Sequence, residues 1–250
     1  MGRPMDYDGY SRMYAHTRSA MPWIRSPLRH EAACLPGGAT LVEIGCGTGD
    51  YIISLAEEFL ALHCLGLDLS SGMLAVARSR SYRVGLIRAD ADSGLPLKAE
   101  AVDFAFLVDV VHHLKNLDNL FREVFRVLKL GGILVIVTDS EENIRTRSLT
   151  RCFPEILQVE LQRYPRLVDL SLCARRSGLD CESAEPAEGY FEIDRDFISR
   201  VEDKCSSAMR LISDEAHRAG VARLEEARRR GEKWFSCYTV LRFRKPRSHQ

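Results

Sequence analysis

Val42-Glu43-Ile44-Gly45-Cys46-Gly47-Thr48-Gly49-Asp50-Tyr51 sets three glycines at alternate positions between an apolar run, Thr40 to Ile44, and a helical pattern, Asp50 to Leu60. Strand, tight glycine turn and helix form the opening unit of a nucleotide-binding α/β fold. Glycines so placed let the backbone approach a ligand closely and adopt dihedrals that a Cβ forbids. The pattern is Gly-x-Gly-x-Gly, not the Gly-x-Gly-x-x-Gly of dinucleotide enzymes, which disfavours a nicotinamide oxidoreductase. The charges point the same way. A pyrophosphate docked on this helix N-terminus would meet the negative charge of Asp50. A ligand carrying an ammonium and a sulfonium would find Glu43 and Asp50 favourable.

Further apolar runs follow at regular intervals. Leu62 to Leu67 ends in Asp68, nineteen residues after Gly49, which leaves room for one helix and a return strand. An acidic side chain there is placed to accept hydrogen bonds from ribose hydroxyls. Val84 to Ile87 ends near Asp90, whose carboxylate is placed to accept the exocyclic amine of an adenine. Val102 to Val108 is apolar on both faces, as a buried parallel strand requires. It leads into Asp109-Val110-Val111-His112-His113-Leu114. Ile133 to Val137 follows Leu128-Lys129-Leu130-Gly131-Gly132. Strands alternating with helices imply a parallel sheet covered on both faces.

On Glu43 to Gly49, Asp68-Leu69-Ser70-Ser71-Gly72-Met73-Leu74, Asp90, the His-His pair and Leu128 to Gly132, the chain resembles the class I S-adenosylmethionine-dependent methyltransferases. The resemblance is to the small-molecule group that includes quinone and sterol methylating enzymes, and covers about residues 38 to 140. It implies a Rossmann-like, doubly wound, mostly parallel seven-stranded sheet with helices on both faces and helical insertions that cap the substrate side. It implies S-adenosyl-L-methionine as cofactor and S-adenosyl-L-homocysteine as product. By the same resemblance, Glu43 and the loop Gly45, Cys46, Gly47 and Gly49 cradle the methionine moiety and ribose. Asp68 binds the ribose hydroxyls, Leu69 and Met73 flank the adenine, and Asp90 and Ala91 meet its edge. Val108 to Val110 line the base of the reaction site, and His113 is among the cofactor-binding residues. Met73 fits a helix-core position equally well.

The implied reaction is methyl transfer to an oxygen, nitrogen or carbon nucleophile of a small-molecule acceptor. An RNA or protein methyltransferase is one alternative. A non-catalytic protein that binds S-adenosylmethionine or S-adenosylhomocysteine is another, because binding and catalysis share the glycine loop. His112 is the candidate base, since imidazole titrates near neutral pH, and it also fits the substrate side. His113 fits a structural role under the loop. Tyr7, Tyr10, Tyr14 and Arg18 recur at helical steps, with Tyr14 and Arg18 placed to close over the cofactor and Tyr10 to face the acceptor. The same spacing fits an amphipathic helix packed on the domain. Arg147 and Arg151, four apart, are candidates for an acceptor carboxylate or phosphate, with Tyr190 beside them. They also fit a solvated face.

Residues 1–37 are expected to form an N-terminal helical cap, 38–140 the cofactor-binding core, and 141–250 the rest of the sheet with the substrate-side insertions. With Lys+Arg and Asp+Glu both 35, the chain has no net charge, which argues against a nucleic-acid partner. Its apolar runs are shorter than a membrane span. Met1 to Tyr14 lacks the apolar core of a signal peptide. The expectation is a cytoplasmic monomer or homodimer, with no nucleic-acid or membrane partner and no metal. Eight cysteines occur without a Cys-x-x-Cys pair, which fits reduced thiols. Cys152, Cys173 and Cys181 lie where the substrate side is expected. Enzymes of the resembled superfamily that methylate arsenic bind it through cysteines, but this spacing matches no such pattern.

Overall fold

The computed structural model describes residues 20–247. Among the described residues the first helix, α1 (Pro22–Ala33), precedes β1 (Thr40–Ile44), α2 (Asp50–Glu58), β2 (His63–Asp68), α3 (Ser71–Arg80), β3 (Val84–Arg88) and β4 (Val102–Val108). A short 3-10 turn, Val111–His113, leads to α4 (Leu117–Val127) and β5 (Leu128–Thr138). Helices α5 (Glu141–Thr146), α6 (Ser148–Cys152), α7 (Ile156–Arg163) and α8 (Leu167–Ser177) follow. The chain then runs through β6 (Asp180–Glu192), α9 (Arg195–Glu202), a 3-10 turn at Ser207–Arg210, α10 (Asp214–Arg229) and β7 (Lys233–Arg244).

The seven strands form one sheet in the order β3-β2-β1-β4-β5-β7-β6. β1 to β5 pair in parallel, and β7 lies antiparallel between β5 and β6. The reversal beside β1, where the chain returns to add β4, is the point at which an open α/β sheet opens a crevice.

Side chains alternate across β4 to feed two cores. Val102, Ala105 and Leu107 join Leu120, Phe121, Val124 and Val127 of α4 and Leu170 of α8 on one face. Phe104 and Phe106 join Ile24 and Leu28 of α1 and Ile52 and Leu55 of α2 on the other. The α4 stripe forms because its apolar residues recur at helical spacing, and Asn116 caps its start by accepting from Asn119 N at 3.0 Å. A third cluster, with Phe153, Ile156, Phe197, Val201, Leu224 and Trp234, joins the helices inserted after β5 and β6.

Two strands run longer than their apolar cores suggest. β5 begins at Leu128, directly from α4, because Leu128 already pairs with Val102. The register then shifts before Ile133 meets Phe104, so the strand absorbs Lys129 to Gly132 as an irregularity. β6 pairs with β7 along its length, from Asp180 to Glu192. Its exposed glutamates carry no apolar alternation, yet the neighbouring strand supplies the hydrogen-bonding ladder. The helix after the glycine loop ends at Glu58, two residues before Leu60.

Candidate active site

The glycine loop folds into a cradle. Gly45 has a left-handed φ of 76°, and a Cβ there would lie 2.5 Å from Val110 Cγ2. The amides of Gly45 and Cys46 both donate to Leu67 O, at 2.7 and 2.9 Å. Asp68, at the end of β2, accepts from Gly47 N at 2.7 Å through Oδ2 and from Ser70 N at 2.9 Å through Oδ1. Ser70 in turn caps α3 by accepting from Met73 N at 3.1 Å, which sets the Met73 side chain against the site. Asp90 accepts from Asp92 N at 3.0 Å and from Ser93 Oγ at 2.8 Å.

These turns enclose a cavity at the carboxyl ends of β1 to β4. Among its walls are Gly45, Gly47, Asp68, Leu69, Met73, Asp90, Ala91, Val108 and His113. Nine of the residues named from the sequence therefore meet at one place. Leu69 is exposed and Met73 buried, so apolar side chains from two depths offer a sandwich for a planar base. The cradle that a Cβ at position 45 would fill, and the carboxylates at the β2 and β3 ends, suit a nucleoside with a short zwitterionic tail.

Glu43, Cys46 and Gly49 do not line that cavity. The buried Glu43 carboxylate accepts from Ile52 N at 3.0 Å and so braces the loop from behind; burial raises its pKa well above the usual carboxylate range. The Cys46 thiol packs toward Gly66 of β2 instead of toward the cavity. Gly49 provides the left-handed N-cap of α2, at φ 85°. The charge on Asp50 also points elsewhere, paired with Arg80 at 2.6 Å. Discrimination against a pyrophosphate therefore does not come from Asp50 facing the ligand.

A second cavity, of about 450 Å³, lies between the sheet ends and the inserted helices. Trp23, Tyr164, Phe191, Phe197, Trp234 and Tyr238 contribute aromatic faces to its walls, beside the charged side chains of Asp109, Arg147, Glu160 and Arg200. Trp23 and Phe191 stack at 6.0 Å, and Phe197 meets Trp234 edge-on at 4.8 Å. Asp109 lines both cavities. It follows the last residue of β4 with a left-handed φ of 56°, while its amide still donates to Val137 O at 2.9 Å. A non-glycine residue held in that region is a common mark of a functional position.

A buried polar network supports this wall. The Tyr164 hydroxyl donates to Asp109 Oδ1 at 2.5 Å. Burial, reinforced by Asp109 and Asp139, pushes the Tyr164 phenol well above its usual range, so it stays a donor. Arg147 joins Asp139 and Glu160 through its two Nη atoms. Burial pushes Asp139 up to about 7, against the pull of Arg147.

The structure corrects three expectations for the substrate side. His112 lines neither cavity. Its ring packs between His113, at 4.0 Å, and Tyr164, at 4.2 Å, with Nδ1 3.6 Å from Asp109 Oδ1. The 3-10 turn rotates His112 inward and presents His113 to the first cavity. Arg147 does line the second cavity, but its guanidinium serves Asp139 and Glu160. Arg151 does not share its face. Arg147 is an extended N-cap, with ψ 153°, so helical spacing does not apply across it, and Arg151 donates to Ser148 Oγ on another surface.

Tyr190 lines the second cavity and lies against Phe235 at 4.8 Å. Tyr7, Tyr10, Tyr14 and Arg18 fall outside the described residues. Of the three cysteines raised for a metalloid, none lines the second cavity. Asp109 was legible only as part of the β4 end. Glu160 and Phe197 lie on inserted helices, and Tyr164 just after one, whose arrival at the site carries no local sequence signal.

Residues 42–136 match the family model described as a methyltransferase domain. The malonyl-[acyl-carrier protein] O-methyltransferase of Methylococcus capsulatus is 32% identical over 139 residues, covering 54% of this chain and 49% of that protein. The ubiquinone/menaquinone biosynthesis C-methyltransferase UbiE of Syntrophotalea carbinolica is 32% identical over 162 residues, covering 63% of this chain and 66% of that protein. The chain thus spans about half to two thirds of the length of these curated relatives. Among solved structures, phosphoethanolamine N-methyltransferase 2 of Haemonchus contortus, in complex with phosphomonomethylethanolamine and S-adenosylhomocysteine, superposes with a TM-score of 0.62 at 21% identity, covering 96% of this chain and 57% of that one. The [4+2]-cyclase SpnF superposes with a TM-score of 0.61 at 22% identity, over 93% of this chain and 85% of that one. At those identities the likeness is one of fold. Residues 42–136 thus carry a methyltransferase domain, and the seven-stranded sheet has the Rossmann-like fold of the class I S-adenosylmethionine-dependent methyltransferases.

Proposed function

We propose that this protein transfers the methyl group of S-adenosylmethionine to a small-molecule acceptor and releases S-adenosylhomocysteine. The observation that carries this reading is the pair of cavities sharing Asp109 as a wall. One is built from the glycine loop and strand-end carboxylates, the other from aromatic side chains of the inserted segments.

In this reading Gly45, Gly47, Asp68, Leu69, Met73, Asp90, Ala91, Val108 and His113 hold the cofactor. Residues 38–140 serve it, while the segments 1–37 and 141–230 select the acceptor. The cofactor supplies an already activated methyl group. The chain's own residues then have to orient the acceptor atom in line behind that methyl and exclude water. The aromatic walls, the Asp109–Tyr164 pair and the inserted helices are suited to both tasks.

The named relatives act on acyl-carrier-bound, quinone or phosphobase acceptors, so they do not select one acceptor for this chain. A charge-balanced cavity of this size favours a small acceptor over RNA or a protein surface. No helix among the described residues is long and apolar enough to cross a membrane, and the reading places the reaction in the cytoplasm.

Radiolabelled S-adenosylmethionine, incubated with the protein and separately with the small-molecule, RNA and protein fractions of cells that carry the gene, tests it. Label should enter the small-molecule fraction. Label in RNA or protein would contradict the reading. Tight cofactor binding with no transfer to any fraction would favour a binding protein, or a non-transferring enzyme such as SpnF is by name.

A further inference from the structure

We propose that the aromatic cavity takes a planar phenol and that Asp109 receives its proton as the methyl group is transferred. This rests on the methyl-transfer reading above and gives it an acceptor class.

Four observations carry the proposal. The cavity volume of about 450 Å³ falls within the range that encloses one drug-sized molecule. Its walls offer flat faces and edges, from the stacked Trp23–Phe191 pair to the edge-on Phe197–Trp234 pair. Aromatic rings favour such offset and edge contacts with another ring.

The charges on the walls cancel. Asp109 and Glu160 face Arg147 and Arg200. Arg147 is already paired with Asp139 and Glu160, and the Arg200 guanidinium lies 5.7 Å from the centre of the Phe197 ring. An anionic acceptor head brought to the methyl-facing wall would meet Asp109. A cationic head would share the cavity with two guanidinium groups, and a protonated amine has no lone pair with which to attack. A neutral acceptor fits these walls.

Asp109 lines both cavities, so its carboxylate stands between the cofactor side and the acceptor side. A carboxylate is a weak base, and general-base catalysis is efficient when the acidity of the proton donor is matched to it. A phenol is far better matched than an aliphatic alcohol. The phenolic oxygen forms a bond to the methyl carbon as the carbon–sulfur bond breaks. The bonding pair stays on sulfur, and the phenolic proton passes to Asp109. Tyr164 is a positioning residue here: its hydroxyl, kept protonated by burial, fixes Asp109 Oδ1 at 2.5 Å.

Calorimetry on the protein saturated with S-adenosylhomocysteine supplies the first test, with matched probes on two- and three-ring frames: 2-naphthol, 2-naphthoate and 2-naphthylmethylammonium, and the corresponding anthracenes. The hydroxyl member should bind at least about tenfold more tightly than its charged partners on the better-fitting frame, a difference of about 1.4 kcal/mol. The second test uses Asp109→Asn, a replacement that tolerates the left-handed backbone. Its turnover of the preferred naphthol or anthrol should fall about 10²-fold or more. The loss should shrink at least about tenfold for a nitrated analogue already ionised in the assay buffer, since that acceptor has no proton to give. Tighter binding of the carboxylate or ammonium members, binding of none of the probes, or equal losses for both acceptors would overturn the proposal. Failure of S-adenosylhomocysteine itself to bind would instead overturn the methyl-transfer reading, and this proposal with it.

Discussion

The amide of Gly47 donates to Asp68 Oδ2 at 2.7 Å, so the carboxylate at the end of β2 fixes the tip of the loop that follows β1. Its other oxygen accepts from Ser70 N. One side chain thus shapes the glycine cradle and faces the cavity that the cradle bounds. Asp68→Ala should weaken S-adenosylhomocysteine binding by about one to four decades as one or two charged hydrogen bonds to ribose are lost. It should also lower stability by about 1–3 kcal/mol, because two backbone donors lose their acceptor. Titration calorimetry and urea denaturation of the same variant separate the two effects, and undiminished cofactor affinity would show that the ribose is held elsewhere.

Gly45 lacks the Cβ that would collide with Val110. Gly45→Ala should destabilise the protein by about 1–3 kcal/mol, from overpacking and a left-handed φ, and should reduce cofactor affinity. Val110→Ala in the same chain should recover only part of the stability, since it relieves the collision and not the backbone strain. Full recovery on denaturation would assign the whole effect to packing.

Arg147 is the shared counter-ion of two buried carboxylates, Asp139 and Glu160. Arg147→Met should lower stability by about 3–5 kcal/mol, the usual consequence of removing one partner from a buried pair. Urea denaturation near neutral pH measures it. A loss below about 1 kcal/mol would place this arginine among ordinary surface charges.

Asp139 also predicts a pH dependence. Its pKa rises from an ordinary 3.8 to about 7 on folding. Between those values the folded chain binds the proton and the unfolded chain does not, so this residue's contribution is fully present below the lower value and is lost as pH rises through the upper one. Asp139→Asn should therefore flatten the stability profile between about pH 4 and about pH 7. Denaturation midpoints across that range, compared with the wild type, check the sign. A variant profile that falls more steeply with rising pH would contradict the assignment.

The core strands were legible because each pairs an apolar run with a turn signal at its carboxyl end. That is also why Gly45, Gly47, Asp68, Asp90 and His113 could be gathered from one chain: each stands at or just beyond a strand end, and the doubly wound topology brings those ends together. Glu43 and Asp50 are oriented by contacts that local sequence does not encode. Their position beside the loop is correct, but Ile52 N and Arg80 take their carboxylates, and no local pattern says which way an acidic side chain turns. His112 turns away from the acceptor side for the same reason, through one 3-10 turn. On the acceptor side, Tyr164 reaches Asp109 across 55 positions of chain. Such contacts depend on how α7 packs, which is set by the whole insertion rather than by residues near either partner.

Titration of the wild-type protein with S-adenosylhomocysteine, and separately with NAD, tests the central claim most directly. The glycine cradle and the strand-end carboxylates predict saturable one-to-one binding of S-adenosylhomocysteine at micromolar concentrations and no measurable heat with NAD. Tight NAD binding with no response to S-adenosylhomocysteine would contradict the account.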